Sequence, residues 1–245
     1  MRIVGCGTLK AMTSTESSAD SVVDFYFDYL SPFAYFASLR LPELCRRRGA
    51  ELRFRPVLFA GLLDHWGQRG PAEIPPKAIH TFKLCARYAA LHDVPFRSPR
   101  FHPYRPLEAL RVSLARVAGD DQPKVVRAIF HAGWGEGADL GSPADLTAAI
   151  SAAGLDGEAL MERAAATDAK EALRHETDTA IAKGVFGIPT MIVGDELFWG
   201  VDQLEYLELH LEGRDPLRSV DVEKVRSQGS AAVRPGSVRP GAKAG

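Results

Sequence analysis

At 245 residues and 46% hydrophobic content, the chain is long enough to bury a sizeable core, as one large domain or as a domain carrying an insertion. Thirty basic residues against thirty-one acidic ones leave a formal charge of −1, so no general field favours nucleic acid or an anionic membrane surface. A small molecule is the expected partner. The three cysteines, Cys6, Cys45 and Cys85, are too far apart for a C-x-x-C pair or a zinc knuckle, which argues against dithiol and metal chemistry and fits a reducing cytoplasm.

Residues 1–21 are rich in Ser, Thr and small side chains, and the apolar stretch around Ile3-Val4 is too short for a signal peptide. A disordered extension is expected there, with Met12 as an alternative start. No segment reaches the roughly 20 apolar residues that span a bilayer. Val22 to Tyr29 alternates and then becomes continuously apolar, as a strand entering a buried sheet does. Ser31-Pro32 follows as N-cap and first helical residue of a helix that runs to Arg48 and stops at Gly49. Pro42 should kink or divide it.

Leu52, Phe54 and Pro56 alternate with Arg53 and Arg55, giving a second strand that can lie parallel to the first through the helical crossover. The Gly and Pro residues of LFAGLLDHWGQRGPAEIPP predict a loop, and Pro76 to His92 a helix in which Cys85, like Cys45 before it, is a small buried residue. From Pro106 to Lys183 only helical periodicity is found. Strands return as a hairpin, Pro189 to Val193 and Leu197 to Trp199 about a Gly194-Asp195 turn, followed by a helix from Val201 to Leu211. The twice-repeated V-R-P-G near the carboxyl end marks a flexible tail. The expected architecture is α/β, a thioredoxin-like fold (22–95 and 184–214) with a helical insertion (96–183) and a tail over 215–245.

The hydroxyl of Ser31 should sit among unpaired backbone N–H groups at the positive end of a helix dipole, a place to hold an anion such as a thiolate. It occupies the position where thioredoxin-like redox proteins keep a reactive cysteine. Pro189, at the end of GVFGIPT, opens a strand in the second half of the module, where such folds carry a cis proline facing that helix. The N–H and C=O of Ile188 would then be free to pair with an extended thiol peptide.

DYLSPFAY, PVLFAGLLDHWGQRGP, GVFGIPT and LFWGVDQL occur in the order and spacing of the 2-hydroxychromene-2-carboxylate isomerase family, and over about residues 22–214 the chain resembles that family. Its relatives are kappa-class glutathione transferases and DsbA-like proteins. The resemblance implies glutathione as cofactor and a homodimer. It implies that Ser31 donates a hydrogen bond to the glutathione sulfur, and that Ile188, before cis Pro189, pairs with the cysteinyl backbone. Val201 and Asp202 would receive the γ-glutamyl end. Gln68 stands where the kappa relatives place an asparagine that touches glutathione.

Core packing is the first reading for each of Trp66, Trp134 and Trp199, and walling an aromatic-substrate pocket the second. Lys77, Arg97 and Arg105 are read first as solvated surface charges and second as candidates for a substrate carboxylate. Glu73-Ile74 departs from the Asn-Arg of the naphthalene-pathway isomerase. The implied activity is glutathione-dependent isomerisation of 2-hydroxychromene-2-carboxylate or a related unsaturated aromatic keto acid. The alternatives are a kappa-like transferase or peroxidase and a noncatalytic thiol-binding protein. A disulfide oxidoreductase is disfavoured, because Ser31 and Ala34 fill the C-x-x-C positions.

Overall fold

The computed structural model describes residues 21–220, so residues 1–20 of the expected amino-terminal extension and 221–245 of the expected tail lie outside them, while the first residues of that tail form a 3-10 turn, Pro216–Ser219. β1 (Val22–Phe27) pairs in parallel with β2 (Glu51–Pro56), with Phe25 opposite Phe54, through the crossover helix α1 (Pro32–Arg48). On its other side β1 pairs antiparallel with β3 (Thr190–Val193), which makes a hairpin with β4 (Glu196–Trp199), so the sheet order is β2-β1-β3-β4. This is the mixed sheet of the expected thioredoxin-like fold.

α1 begins and ends as its sequence dictates. The Ser31 hydroxyl accepts the Ala34 N–H, Pro32 supplies a first turn that needs no donor, and Gly49 (φ 64°) turns the chain so that the Gly49 and Ala50 N–H groups take the last carbonyls. Pro42 does not divide the helix, which runs unbroken for 17 residues. Arg47 and Arg48 in its last turn meet Glu208 at 2.8 and 2.7 Å, and Arg48 also pairs with Glu212. These contacts fasten α1 to α10 (Leu204–Leu211), which follows a 3-10 turn at Val201–Gln203.

The predicted loop after β2 is instead α2 (Phe59–Trp66) and a 3-10 turn (Pro71–Glu73) leading into α3 (Pro75–Leu91). Gly61 is not a breaker there: a Cβ on it would stand 3.2 Å from Thr177 Cγ2, so the glycine permits close helix packing. Gly67 (φ 61°) ends the helix. The chain then builds α4 (Leu107–Val112), α5 (Ala115–Ala118), α6 (Gln122–Phe130), α7 (Pro143–Ala152), α8 (Gly157–Ala165) and α9 (Thr167–Ala182), with α6 running on as a π-helical turn, His131–Glu136.

Strand alternation sorts the core into two sides. Val23, Phe25 and Phe27 face a large cluster that takes in α1 and the inserted helices, and Phe130 packs 5.5 Å from Phe27 and 4.5 Å from Tyr29. Tyr26 and Ile192 face a smaller cluster with Leu62 and Ala180, so α2 and α9 cover the second side. The inserted stretch thus shares one apolar core with the sheet. Cys45 and Cys85 lie inside, their thiols pushed up by burial to about 11 and about 12. No helix among the described residues is long and apolar enough to cross a membrane.

Buried Gln122 joins the two parts by donating to the Phe54 carbonyl at 3.0 Å and the Ser113 carbonyl at 2.8 Å. Gln122→Ala strands two buried acceptors and should lower the unfolding free energy by about 2–4 kcal/mol, read from the urea midpoint at unchanged slope.

Candidate functional site

Between β1 and α1 the chain turns through Asp28, Tyr29 and Leu30, and the Ser31 N–H closes the turn on the Asp28 carbonyl at 3.1 Å. Ser31 is 8% exposed. Its Oγ accepts the Ala34 N–H at 3.1 Å, and its own proton has no acceptor among the described residues. The Phe33 N–H also lacks a partner there. A hydroxyl proton, a free amide and the positive end of a 17-residue helix therefore meet beside one another, an arrangement suited to a compact anion.

Facing them is the cis Ile188-Pro189 peptide. The Thr190 hydroxyl donates to the Gly187 carbonyl at 2.7 Å and the Gly200 N–H to the Pro189 carbonyl at 2.9 Å, while the N–H and C=O of Ile188 take no partner among the described residues. Ser31 and Ile188 line one cavity of about 300 Å³. Its walls are mainly apolar: Phe33, Phe59, Phe82, Phe96 and Trp134, with Glu73, Thr81, Ser98 and His102 adding polar groups. Phe96 and Trp134 stack in parallel 5.9 Å apart.

The inserted segment holds the turn in place. Tyr104 Oη and Trp134 Nε1 both donate to the Tyr29 carbonyl at 2.8 Å, and His102 Nε2 lies 2.9 Å from the Leu30 carbonyl. Asp28 is fully buried and accepts the Leu30 N–H on Oδ1 at 3.0 Å and the Phe59 N–H on Oδ2 at 2.9 Å. It thereby ties the serine turn to the start of α2, whose N-cap, Leu58, offers no side-chain acceptor. Burial pushes the Asp28 carboxyl up to about 7, against the two amides that favour its charged form.

Of the other expected site residues, Pro189 is buried and Val201 lies in the main core, close in sequence to the Gly200–Pro189 hydrogen bond; neither lines the cavity. Asp202 is exposed at the 3-10 turn, and Gln68 is exposed beyond α2; neither lines the cavity. Of the tryptophans only Trp134 walls it. Trp66 donates to the Val185 carbonyl at 2.9 Å, and Trp199, 52% exposed, packs on Phe186. Lys77, Arg97 and Arg105 are exposed and outside the lining. Asp28 and His102 are not singled out by the sequence pattern. The signal for Asp28 was an acid inside an apolar strand; His102 gave none.

Residues 22–212 match the family model of the DSBA-like thioredoxin domain. Over 192 residues the chain is 35% identical to 2-hydroxychromene-2-carboxylate isomerase of Sphingobium xenophagum, covering 77% of this chain and 97% of that protein. The chain belongs to the 2-hydroxychromene-2-carboxylate isomerase family. A solved 2-hydroxychromene-2-carboxylate isomerase structure superposes with a TM-score of 0.69 at 29% identity, covering 82% of this chain and 98% of that one. Glutathione S-transferase kappa 1 of Rattus norvegicus is more distant, 26% identical over 206 residues, with 77% of this chain and 90% of that protein covered. Against this isomerase-family background, Ser31 and the cis Pro189 segment sit across one cavity from each other.

Because the folded Asp28 binds its proton more tightly than the unfolded one, the native state carries more protons between about pH 4 and 7, and stability falls as pH rises through that window. Relative to Asp28→Asn, the wild type should lose up to about 4 kcal/mol between pH 4 and 8, read from paired denaturation curves. A stability gap that does not move with pH would remove the buried carboxyl as its cause.

Proposed function

We propose that the protein is a glutathione-dependent isomerase of 2-hydroxychromene-2-carboxylate or a related unsaturated aromatic keto acid. One observation carries the reading: a serine proton at a helix N-terminus and the backbone of Ile188, both without a partner among the described residues, share an aromatic-walled cavity. The residues fit the tripeptide on that ground, since the Ile188 N–H and C=O can pair with an extended peptide as an added strand and set its thiol toward Ser31. Val201 and Asp202, and at longer reach Gln68, would hold its ends. The name of the kappa 1 relative supports glutathione as the bound thiol.

When bound, glutathione supplies a thiolate whose reversible addition to a conjugated double bond lets that bond rotate. Ser31 donates to the sulfur and the α1 dipole favours its charge, which keeps the thiolate populated near neutrality. The apolar walls exclude water and seat the aromatic ring against Phe96 and Trp134. No lysine or arginine lines the cavity among the described residues, and the Glu73 carboxylate is held by the Gly70 N–H at 2.5 Å. A substrate carboxylate is therefore best placed toward the α1 end and away from Glu73.

A reducing compartment such as the cytoplasm and a homodimer belong to the same proposal. Exposed Ile79, Leu84 and Leu91 on α3 support the dimer, since a second copy would cover apolar area there. The 26% identity to the kappa transferase favours one rival, a transferase that consumes the thiol.

Mixing protein, glutathione and a hydroxychromene carboxylate should change the substrate's ultraviolet spectrum with no net loss of glutathione. Stoichiometric thiol loss with an electrophile would favour the transferase. Ser31→Ala should raise the pKa of the bound thiol by about one unit through loss of one donor, followed by thiolate absorbance against pH. An unchanged thiol pKa would take Ser31 out of the chemistry.

A further inference from the structure

Ser31 and the helix end can stabilise a thiolate, yet neither can take up the proton that a thiol must release. Two ionisable side chains line the cavity among the described residues, Glu73 and His102. Glu73 is committed to the Gly70 N–H and lies beside Arg69 at 3.9 Å. His102 is fastened differently. Its Nε2 lies 2.9 Å from the Leu30 carbonyl, and since a carbonyl oxygen only accepts, Nε2 must carry the hydrogen. In the neutral ring the lone pair then belongs to Nδ1, which has no protein partner among the described residues. The imidazole is exposed on one side and packs edge-on against Trp134 at 5.3 Å and Tyr104 at 6.4 Å, and the carbonyl it meets belongs to the residue before Ser31.

We propose that Nδ1 of His102 is the station for the proton a thiol gives up beside Ser31. The S–H bond breaks with its electron pair left on sulfur, and an N–H bond forms at Nδ1, making the ring an imidazolium whose Nε2–H still donates to Leu30. In the cavity that proton can be lent to the keto acid's oxygen as negative charge collects there, and it returns through Nδ1 to sulfur when the thiol is released. No proton is gained or lost over a cycle. The inference rests on the glutathione reading above and adds a base to it.

The side-chain nitrogens of His102 report the step directly by NMR. At about pH 8 saturating glutathione should add a proton to the His102 ring relative to the ligand-free protein, and S-methylglutathione, which has no thiol proton, should not. His102→Gln keeps an amide N–H for the Leu30 carbonyl but cannot titrate. It should bind S-methylglutathione within about twofold of wild type and isomerise about 100-fold more slowly. A ring that stays neutral with glutathione bound, or a Gln variant with wild-type turnover, overturns the role of His102 and leaves the glutathione reading standing. A wild type that neither binds glutathione nor changes the chromene sinks both.

Discussion

Four residues of backbone between β1 and α1 decide where this protein's chemistry can happen, and hydrogen bonds from distant parts of the chain hold them. The Tyr29 carbonyl accepts from Tyr104 and Trp134, the Leu30 carbonyl meets His102, the Leu30 amide is held by the Asp28 side chain, and the Ser31 amide by the Asp28 carbonyl. Buried polar backbone must be paired, and here much of the pairing comes from inserted residues rather than from the sheet. Burial holds the Tyr104 hydroxyl far above its ordinary range, so it remains a donor. The result is a serine whose oxygen is occupied and whose proton meets no acceptor among the described residues.

This arrangement carries a cost. A carboxyl sealed from water at Asp28 resists ionisation, and its two amide partners offset only part of the burial penalty. An apolar residue would pack there without that penalty, but it would leave the Leu30 and Phe59 amides without their acceptor and uncouple the serine turn from α2. Stability is given up where the site needs a fixed turn, as is common at functional positions.

Much of the framework was readable from the chain because it rests on local rules. Ser31-Pro32 with Gly49 marked α1, the alternation in β1 and β2 marked the parallel pair, and Gly194-Asp195 marked the hairpin. Local rules failed where a residue served a distant partner. Gly61 read as a loop residue because its value lies in the close approach of Thr177, more than a hundred positions away. Pro42 read as a kink or a break, and of the two the break is excluded, since Leu41, Leu44 and Cys45 pack into the core on a helix that runs through it. The three tryptophans look alike in sequence, and only tertiary contacts separate Trp134 in the cavity wall from Trp66 and Trp199. His102 was invisible for the same reason: its meaning lies in a carbonyl 72 residues earlier.

The pairing of β1 with β3 has a consequence for synthesis. Tyr26 finds its neighbour only when Thr190 has been made, so one edge of the central strand waits while the whole inserted stretch is translated. At 5–20 residues per second that interval is on the order of ten seconds. During it β1 and β2 offer a bare, apolar edge, the kind of surface that nascent-chain chaperones shield. The long excursion that supplies the cavity with its aromatic wall thus also sets the period in which the growing polypeptide is most open to mispairing.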